Sequence, residues 1–241
     1  MIKKTHIVII PGWGGSHETW ANLVDLLQQT VSRVTVLDMP CFGSQACPDT
    51  AWGIEQYAEY IHDELVKMTS SALEPIVLLG HSFGGQLAAF AAFKYPKQMK
   101  RLILVAPALY RPKRYARRFI FGTIAALGRL LFSLPIIEKG DVWAKKLLYK
   151  AADSPDYSET SGIKRDIYKK IIRQDLREVL PKISVPTHII WGDRDTYVPV
   201  KWAKRACAQI PHCSLSIIPR GSHGLHLRSR SALCEAIRTV L

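Results

Sequence analysis

The sequence predicts an α/β protein: a mostly parallel sheet of about six strands, helices on both faces, and a helical insertion. Three observations carry that expectation. Short runs of Ile, Val and Leu alternate with stretches of helical spacing, as in a sheet whose strands are buried on both faces by crossover helices. Three of those runs lead into loops bearing Ser82, Asp195 and His223, and ligand chemistry on such sheets collects at the C-terminal strand edge. Between residues 109 and 180 the alternation stops, with no clear strand and several helical stretches.

The elements follow in order. His6-Ile7-Val8-Ile9-Ile10 reads as a buried strand ending in Pro11-Gly12-Trp13-Gly14-Gly15-Ser16. His17 stands where a dinucleotide loop needs its third glycine, and no phosphate-binding lysine follows. The basic and then apolar N-terminus superficially resembles an export signal. Its apolar run is short and lacks a small-residue cleavage site, so a cytoplasmic protein is expected. A helix follows with Trp20, Leu23, Val24, Leu26 and Leu27 inward, then a strand at Arg33–Asp38. Ile54, Tyr57, Ala58, Ile61, Leu65 and Met68 mark a second helix face. Further strands are expected at 76–79, 101–105, 187–191 and 214–218.

The strand at 76–79 runs straight into Gly80-His81-Ser82-Phe83-Gly84-Gly85 and then an Ala-rich helix. A serine at a sharp strand-to-helix turn is held out of the sheet, and glycines are needed where Cβ atoms would collide. The Phe83 amide then lies at a helix N-terminus, where a developing oxyanion is favoured. Serine needs a base, and the base needs an acid to hold its tautomer. Gly192-Asp193-Arg194-Asp195 and Gly221-Ser222-His223 follow two later strands, which supplies both. Asp193 and His226 are the neighbouring rivals, and His6, His17, His62, His188 and His212 show no ligand spacing.

The five cysteines, Cys41, Cys47, Cys207, Cys213 and Cys234, are odd in number and match no zinc pattern, so free thiols are expected. Net charge is +13, and residues 109–180 carry 16 Lys/Arg against 8 Asp/Glu. Arg111, Lys113, Arg114, Arg117 and Arg118 form a basic stretch; a solvated basic face is its plainest reading. Charge alone argues for nucleic acid, with no recognition motif beside it, so no nucleic-acid partner is expected. Ile120, Ile124, Leu127, Leu131 and Leu134 make one apolar stripe, and Arg129 and Pro135 argue against a membrane span there.

Taken together, Pro11–Gly15, Asp38–Ser44, Gly80–Gly85, Val185–Asp195 and Gly221–His223 resemble the α/β-hydrolase superfamily, in particular its small single-lid esterases and lactonases. The resemblance covers nearly the whole chain apart from the lid. It implies an α/β-hydrolase core at 1–108 and 181–241, with a helical lid at 109–180 inserted after the strand at 101–105. It implies Ser82 as nucleophile, Asp195 as acid and His223 as base, with the backbone amides of Trp13 and Phe83 as oxyanion donors. His81 should offer its backbone rather than its ring. Two positions depart from the family: Pro11 replaces the usual His before the first Gly-x-Gly, and Cys41 replaces a usual glycine.

The implied activity is hydrolysis of carboxylic esters, including lactones, through an acyl-enzyme at Ser82, without metal or organic cofactor. Thioester hydrolysis, hydrolysis of a carrier-linked ester and carbon–carbon bond hydrolysis are the enzymatic alternatives. A non-catalytic hydrolase-like binding protein is the alternative of another class. The expected substrate is a small ester or lactone, and the basic lid could dock an acidic carrier protein or an anionic membrane surface.

Overall fold

The computed structural model describes residues 3–71, 74–111 and 160–241. Six parallel strands form one sheet: β1 (Lys3–Ile10), β2 (Val31–Val36), β3 (Ile76–His81), β4 (Arg101–Val105), β5 (Thr187–Gly192) and β6 (Cys213–Ile218). Their order is β2-β1-β3-β4-β5-β6, and every neighbouring pair is parallel. Among the described residues the helices are α1 (His17–Gln28), α2 (Ile54–Ser71), α3 (Ser82–Lys94), α4 (Gly162–Ile171), α5 (Lys201–Gln209), α6 (Leu225–Arg228) and α7 (Arg230–Arg238).

The two-residue period of the strands divides the core into two layers. Val8 and Ile10 of β1, Leu78 of β3 and Leu102 and Leu104 of β4 meet Tyr57, Ile61 and Leu65 of α2 and Leu87 and Ala88 of α3. Ile7 and Ile9, Val77 and Leu79, and Ile103 and Val105 point the other way, onto Trp20, Leu23 and Leu27 of α1 and Leu233 and Ile237 of α7. Strands apolar on both faces therefore fold with helices on both sides. The predicted inward faces of α1 and α2 are the ones buried, with Val24, Leu26 and Met68 at their margins.

Helix α3 crosses the centre of the sheet, and residues 82–89 are all buried. Its small residues let it lie close. A Cβ on Gly84 would overlap the backbone carbonyl oxygens of Pro11 and Ile10, and one on Gly80 would overlap that of Gly84. Gly84→Ala is therefore expected to lower unfolding free energy by about 3 kcal/mol, through a clash that only backbone movement relieves. Gly224→Ala, where an added Cβ meets only Leu227 Cδ1 at 3.8 Å, should stay within about 0.5 kcal/mol of wild type. Urea unfolding of the two variants checks the contrast.

The expectation of free thiols is corrected. Cys41 is bonded to Cys47, and Cys207 to Cys213; Cys234 alone is free, and it is buried. Both bridges join residues six apart across a loop, a local closure that no zinc spacing or export signal would reveal. Cys41 also has φ 76°, the left-handed region that favours glycine, which gives a physical reason for the glycine that the resemblance implies there. Most of the lid expected at 109–180, including the stripe from Ile120 to Leu134, lies outside the described residues. Among the described residues no helix is long and apolar enough to cross a membrane.

Candidate active site

Three parallel strands deliver the site. Strand β3 ends at His81, and Ser82 opens α3 with φ 52°, a left-handed backbone for a residue that has a Cβ. That strain lifts the hydroxyl above the sheet edge. The loop after β5 carries Asp195, and the loop after β6 carries His223. The two loops are locked together because Arg194 N–H donates to the Gly221 carbonyl at 2.9 Å and Asp193 N–H to the Ile218 carbonyl at 3.2 Å. A Cβ on Gly192 would overlap the Gly221 backbone, so glycine is required for that approach.

His223 Nε2 lies 2.9 Å from Ser82 Oγ, and His223 Nδ1 lies 2.7 Å from Asp195 Oδ2. Asp195 is buried, and its Oδ1 accepts from the N–H groups of Tyr197 at 2.9 Å and Val198 at 2.8 Å. One carboxylate oxygen is thus held by the backbone while the other orients the imidazole. Asp193, by contrast, is exposed. The three residues singled out from the sequence form one hydrogen-bonded chain.

The surroundings hold the imidazole from several sides. His81 is buried, and its Nε2 lies 3.0 Å from the His223 carbonyl oxygen, so Nε2–H donates to it. The resemblance implies that His81 offers its backbone rather than its ring to the chemistry; the ring here holds the main chain of the His223 loop. That contact comes from a segment 142 residues further along the chain, which local sequence does not reveal. The Tyr197 ring lies 4.9 Å from that of His223. His226 is not at the serine; it stacks on Trp20 with ring centroids 4.4 Å apart.

Burial, and then the neighbouring His223, pushes the His226 pKa down to about 4; burial, and then His223 and His226, lowers that of His81. The unfolded chain binds a proton on His226 near pH 6.5, whereas the folded one does not until about pH 4. Stability is therefore unaffected by this group above pH 6.5 and is lost as pH falls toward 4, by about 3 kcal/mol. His226→Phe, which keeps a ring on Trp20, should flatten that acid loss. Urea unfolding at pH 7 and pH 4.5 measures it.

Beside the elbow, the loop at 11–15 comes so close that a Cβ on Gly12 would meet His81 Nδ1 at 2.8 Å and Ser82 Cβ at 3.4 Å. The next residue is Trp13. Its ring packs edge-on against Phe42, Phe83 and Tyr168 at 4.8, 5.2 and 5.0 Å, an aromatic wall next to the serine. Asp38 ties the neighbouring loop in place, accepting from the N–H groups of His17 at 3.1 Å and Ser44 at 3.2 Å. Among the described residues no cluster of three or more His, Cys, Asp or Glu is placed to hold a metal ion.

Residues 5–228 match the alpha/beta hydrolase fold family. The chain belongs to that family. A pimeloyl-[acyl-carrier protein] methyl ester esterase of Vibrio campbellii is 26% identical over 248 residues, covering 96% of this chain and 92% of that protein. An uncharacterized hydrolase of Bacillus subtilis is 28% identical over 236 residues, covering 90% of this chain and 82% of its own. Among solved structures, an esterase from Exiguobacterium antarcticum superposes with a TM-score of 0.72 at 20% identity, covering 100% of this chain and 92% of that one. At that identity the likeness speaks for the fold of this alpha/beta hydrolase and not for its substrate.

The orientation of Arg111 differs from the sequence expectation. The basic stretch predicts a solvated Arg111, but the side chain turns inward: its Nη2 donates to Gln86 Oε1 at 2.5 Å, and its N–H donates to Asp175 Oδ2 at 2.8 Å. The other members, Lys113, Arg114, Arg117 and Arg118, lie outside the described residues.

Proposed function

We propose that this alpha/beta hydrolase is a serine esterase that cleaves carboxylic esters, lactones among them, through an acyl-enzyme at Ser82. The observation that carries the reading is the chain from Ser82 Oγ through His223 to the buried Asp195 carboxylate. With Nδ1–H donating to Asp195, His223 Nε2 is left as an acceptor and takes the serine proton as Oγ attacks the ester carbonyl. The amides of Trp13 and Phe83 receive the negative charge that develops on the carbonyl oxygen. His223 then protonates the departing alcohol, and a water repeats the sequence to release the acid. Each step is completed by side chains and backbone of this chain.

Two measurements test the reading together. A fluorophosphonate probe should label the wild-type protein at Ser82, and p-nitrophenyl esters of varied chain length should be hydrolysed. A folded wild-type protein that takes no label and turns over no ester or lactone would instead be a hydrolase-like binding protein.

A second reading has one specific observation in its favour. Relatives of similar length are described as pimeloyl-[acyl-carrier protein] methyl ester esterases. With the basic composition of residues 109–180, this supports an ester presented by an acidic carrier through the lid. Such docking would make carrier-bound methyl esters better substrates than free ones at low salt, with the advantage fading as salt rises.

A further inference from the structure

Helix α3 carries a buried polar residue, Gln86, in an otherwise apolar stretch. Gln86 is fully buried four residues after Ser82, on the same face of the helix, among Leu and Ala neighbours. Its Nε2 donates to the Gln174 carbonyl at 2.7 Å, which fixes the amide so that Oε1 faces Arg111 Nη2. The guanidinium is thereby held on a side chain that leaves α3 one helical turn, ~5 Å along the axis, after Ser82. The main chain leading to it also leaves from the elbow, since Ala108 N–H donates to the Ser82 carbonyl at 2.9 Å.

Among the described residues the cation has no counter-charge in direct contact. Asp175, whose carboxylate meets the Arg111 main chain, is occupied: it accepts from the backbone N–H groups of Arg111 and Arg177 at 2.8 Å and from Arg177 Nη2 at 3.1 Å. Arg111 makes no side-chain ion pair among the described residues, and its buried Nε has no hydrogen-bond partner among them. Burial lowers its pKa, and nearby Tyr168, Asp175 and Tyr197 act against that. Those two tyrosines border the reacting groups: Tyr168 packs on Trp13, and Tyr197 lies against His223. A charged fork with unused donors, fixed from behind by a buried amide, is costly to build for packing alone. It is what recognition of a carboxylate requires.

We propose that Arg111, oriented by Gln86, binds a carboxylate on the substrate, so that the preferred esters are monoanionic half-esters of short dicarboxylic acids or esters of a carboxylate-bearing alcohol. This rests on the serine esterase reading and names the substrate class of that site. With the one-turn offset of Gln86 from Ser82 as the scale, spacers of roughly two to five methylene groups are the range to test. The contact is to the substrate, so Arg111 is a binding residue and Gln86 a positioning one.

The test compares kcat/KM for monomethyl and dimethyl esters of C4 to C8 dicarboxylic acids, and for acetate esters of ω-hydroxy acids against those of the matching alcohols. The wild-type protein should favour the charged member of at least one series by tenfold or more at low salt. The acyl-side series and the alcohol-side series show which half of the ester carries the anion. Arg111→Gln should bring that ratio to within about threefold of one, Arg111→Lys should keep part of it, and Gln86→Leu should lower it with an intact Arg111.

If wild type hydrolyses neutral esters and takes the fluorophosphonate label, yet shows no charged preference in either series, the Arg111 proposal is wrong and the esterase reading stands. If Arg111→Gln slows charged and neutral esters equally, Arg111 is structural. No label and no turnover would remove both readings. The wild-type ratio needs no variant, so a poorly folding Arg111→Gln protein leaves the test intact.

Discussion

Ser82→Ala is expected to lower kcat by on the order of 10⁴-fold or more, with fluorophosphonate labelling abolished and the fold retained. The hydroxyl is the only atom lost. Its removal leaves the 2.7 Å contact of His223 with Asp195 and the bond from His81 to the His223 carbonyl untouched, so the base stays in place without a nucleophile. What activity remains would come from the oxyanion amides acting on bound ester and water. Ser82→Gly sharpens the comparison. At φ 52° glycine is unstrained, so this variant should lose the same activity while matching wild-type stability or exceeding it by about 1 kcal/mol. Turnover, labelling and urea unfolding of both variants check the result. A folded Ser82→Ala protein with wild-type ester turnover would move the nucleophile elsewhere.

The sheet and the hydrogen-bonded trio of the candidate site are legible because each follows from local rules. Val8 and Ile10 alternate with Ile7 and Ile9, which demands cover on both faces, and the structure supplies it as two cores. Ser82, Asp195 and His223 each follow a strand, and parallel strands bring their C-terminal ends to one edge whatever the length of chain between. Even the preference for Asp195 over Asp193 had a physical basis: the former is buried against two loop amides, the latter is exposed.

What escaped the sequence depends on pairs distant along the chain or on which way a side chain turns. Arg111 belongs to a run of basic residues, and a run of that kind is usually solvated. Only the fold shows that the chain has just left the elbow and that Gln86, 25 residues earlier, waits beneath it. A signal did exist: Gln86 interrupts an otherwise apolar and small helix, Leu87-Ala88-Ala89-Phe90-Ala91-Ala92, on the side of Ser82. A buried amide there needs partners, and partners imply a polar site. The His81 ring is a similar case, since its acceptor arrives from residue 223. The bridges Cys41–Cys47 and Cys207–Cys213 went unread because loop closure over six residues depends on turn geometry, which cysteine counting does not contain.

Asp195→Asn should be nearly as damaging to turnover as loss of the serine, about 10⁴-fold in kcat near neutral pH, although it changes one atom of a buried side chain. The reason lies in how the carboxylate is held. Oδ1 accepts from the N–H groups of Tyr197 and Val198, so an asparagine must keep its carbonyl oxygen there and turn its NH₂ toward His223. An NH₂ donates, and Nδ1 must then accept, which places the proton of the neutral ring on Nε2. Nε2–H would point at Ser82 Oγ across the 2.9 Å contact, and a donor cannot take the serine proton. Geometry is preserved and the base is disabled by its tautomer alone. Asp195→Glu would keep the charge, but the longer side chain would break the fit to both loop amides. The discriminating measurement is therefore kcat for both variants alongside their unfolding curves. Asp195→Asn should lose far more in rate than in stability, whereas Asp195→Glu should lose in both. Wild-type turnover in a folded Asp195→Asn protein would mean that the imidazole is oriented by some other group.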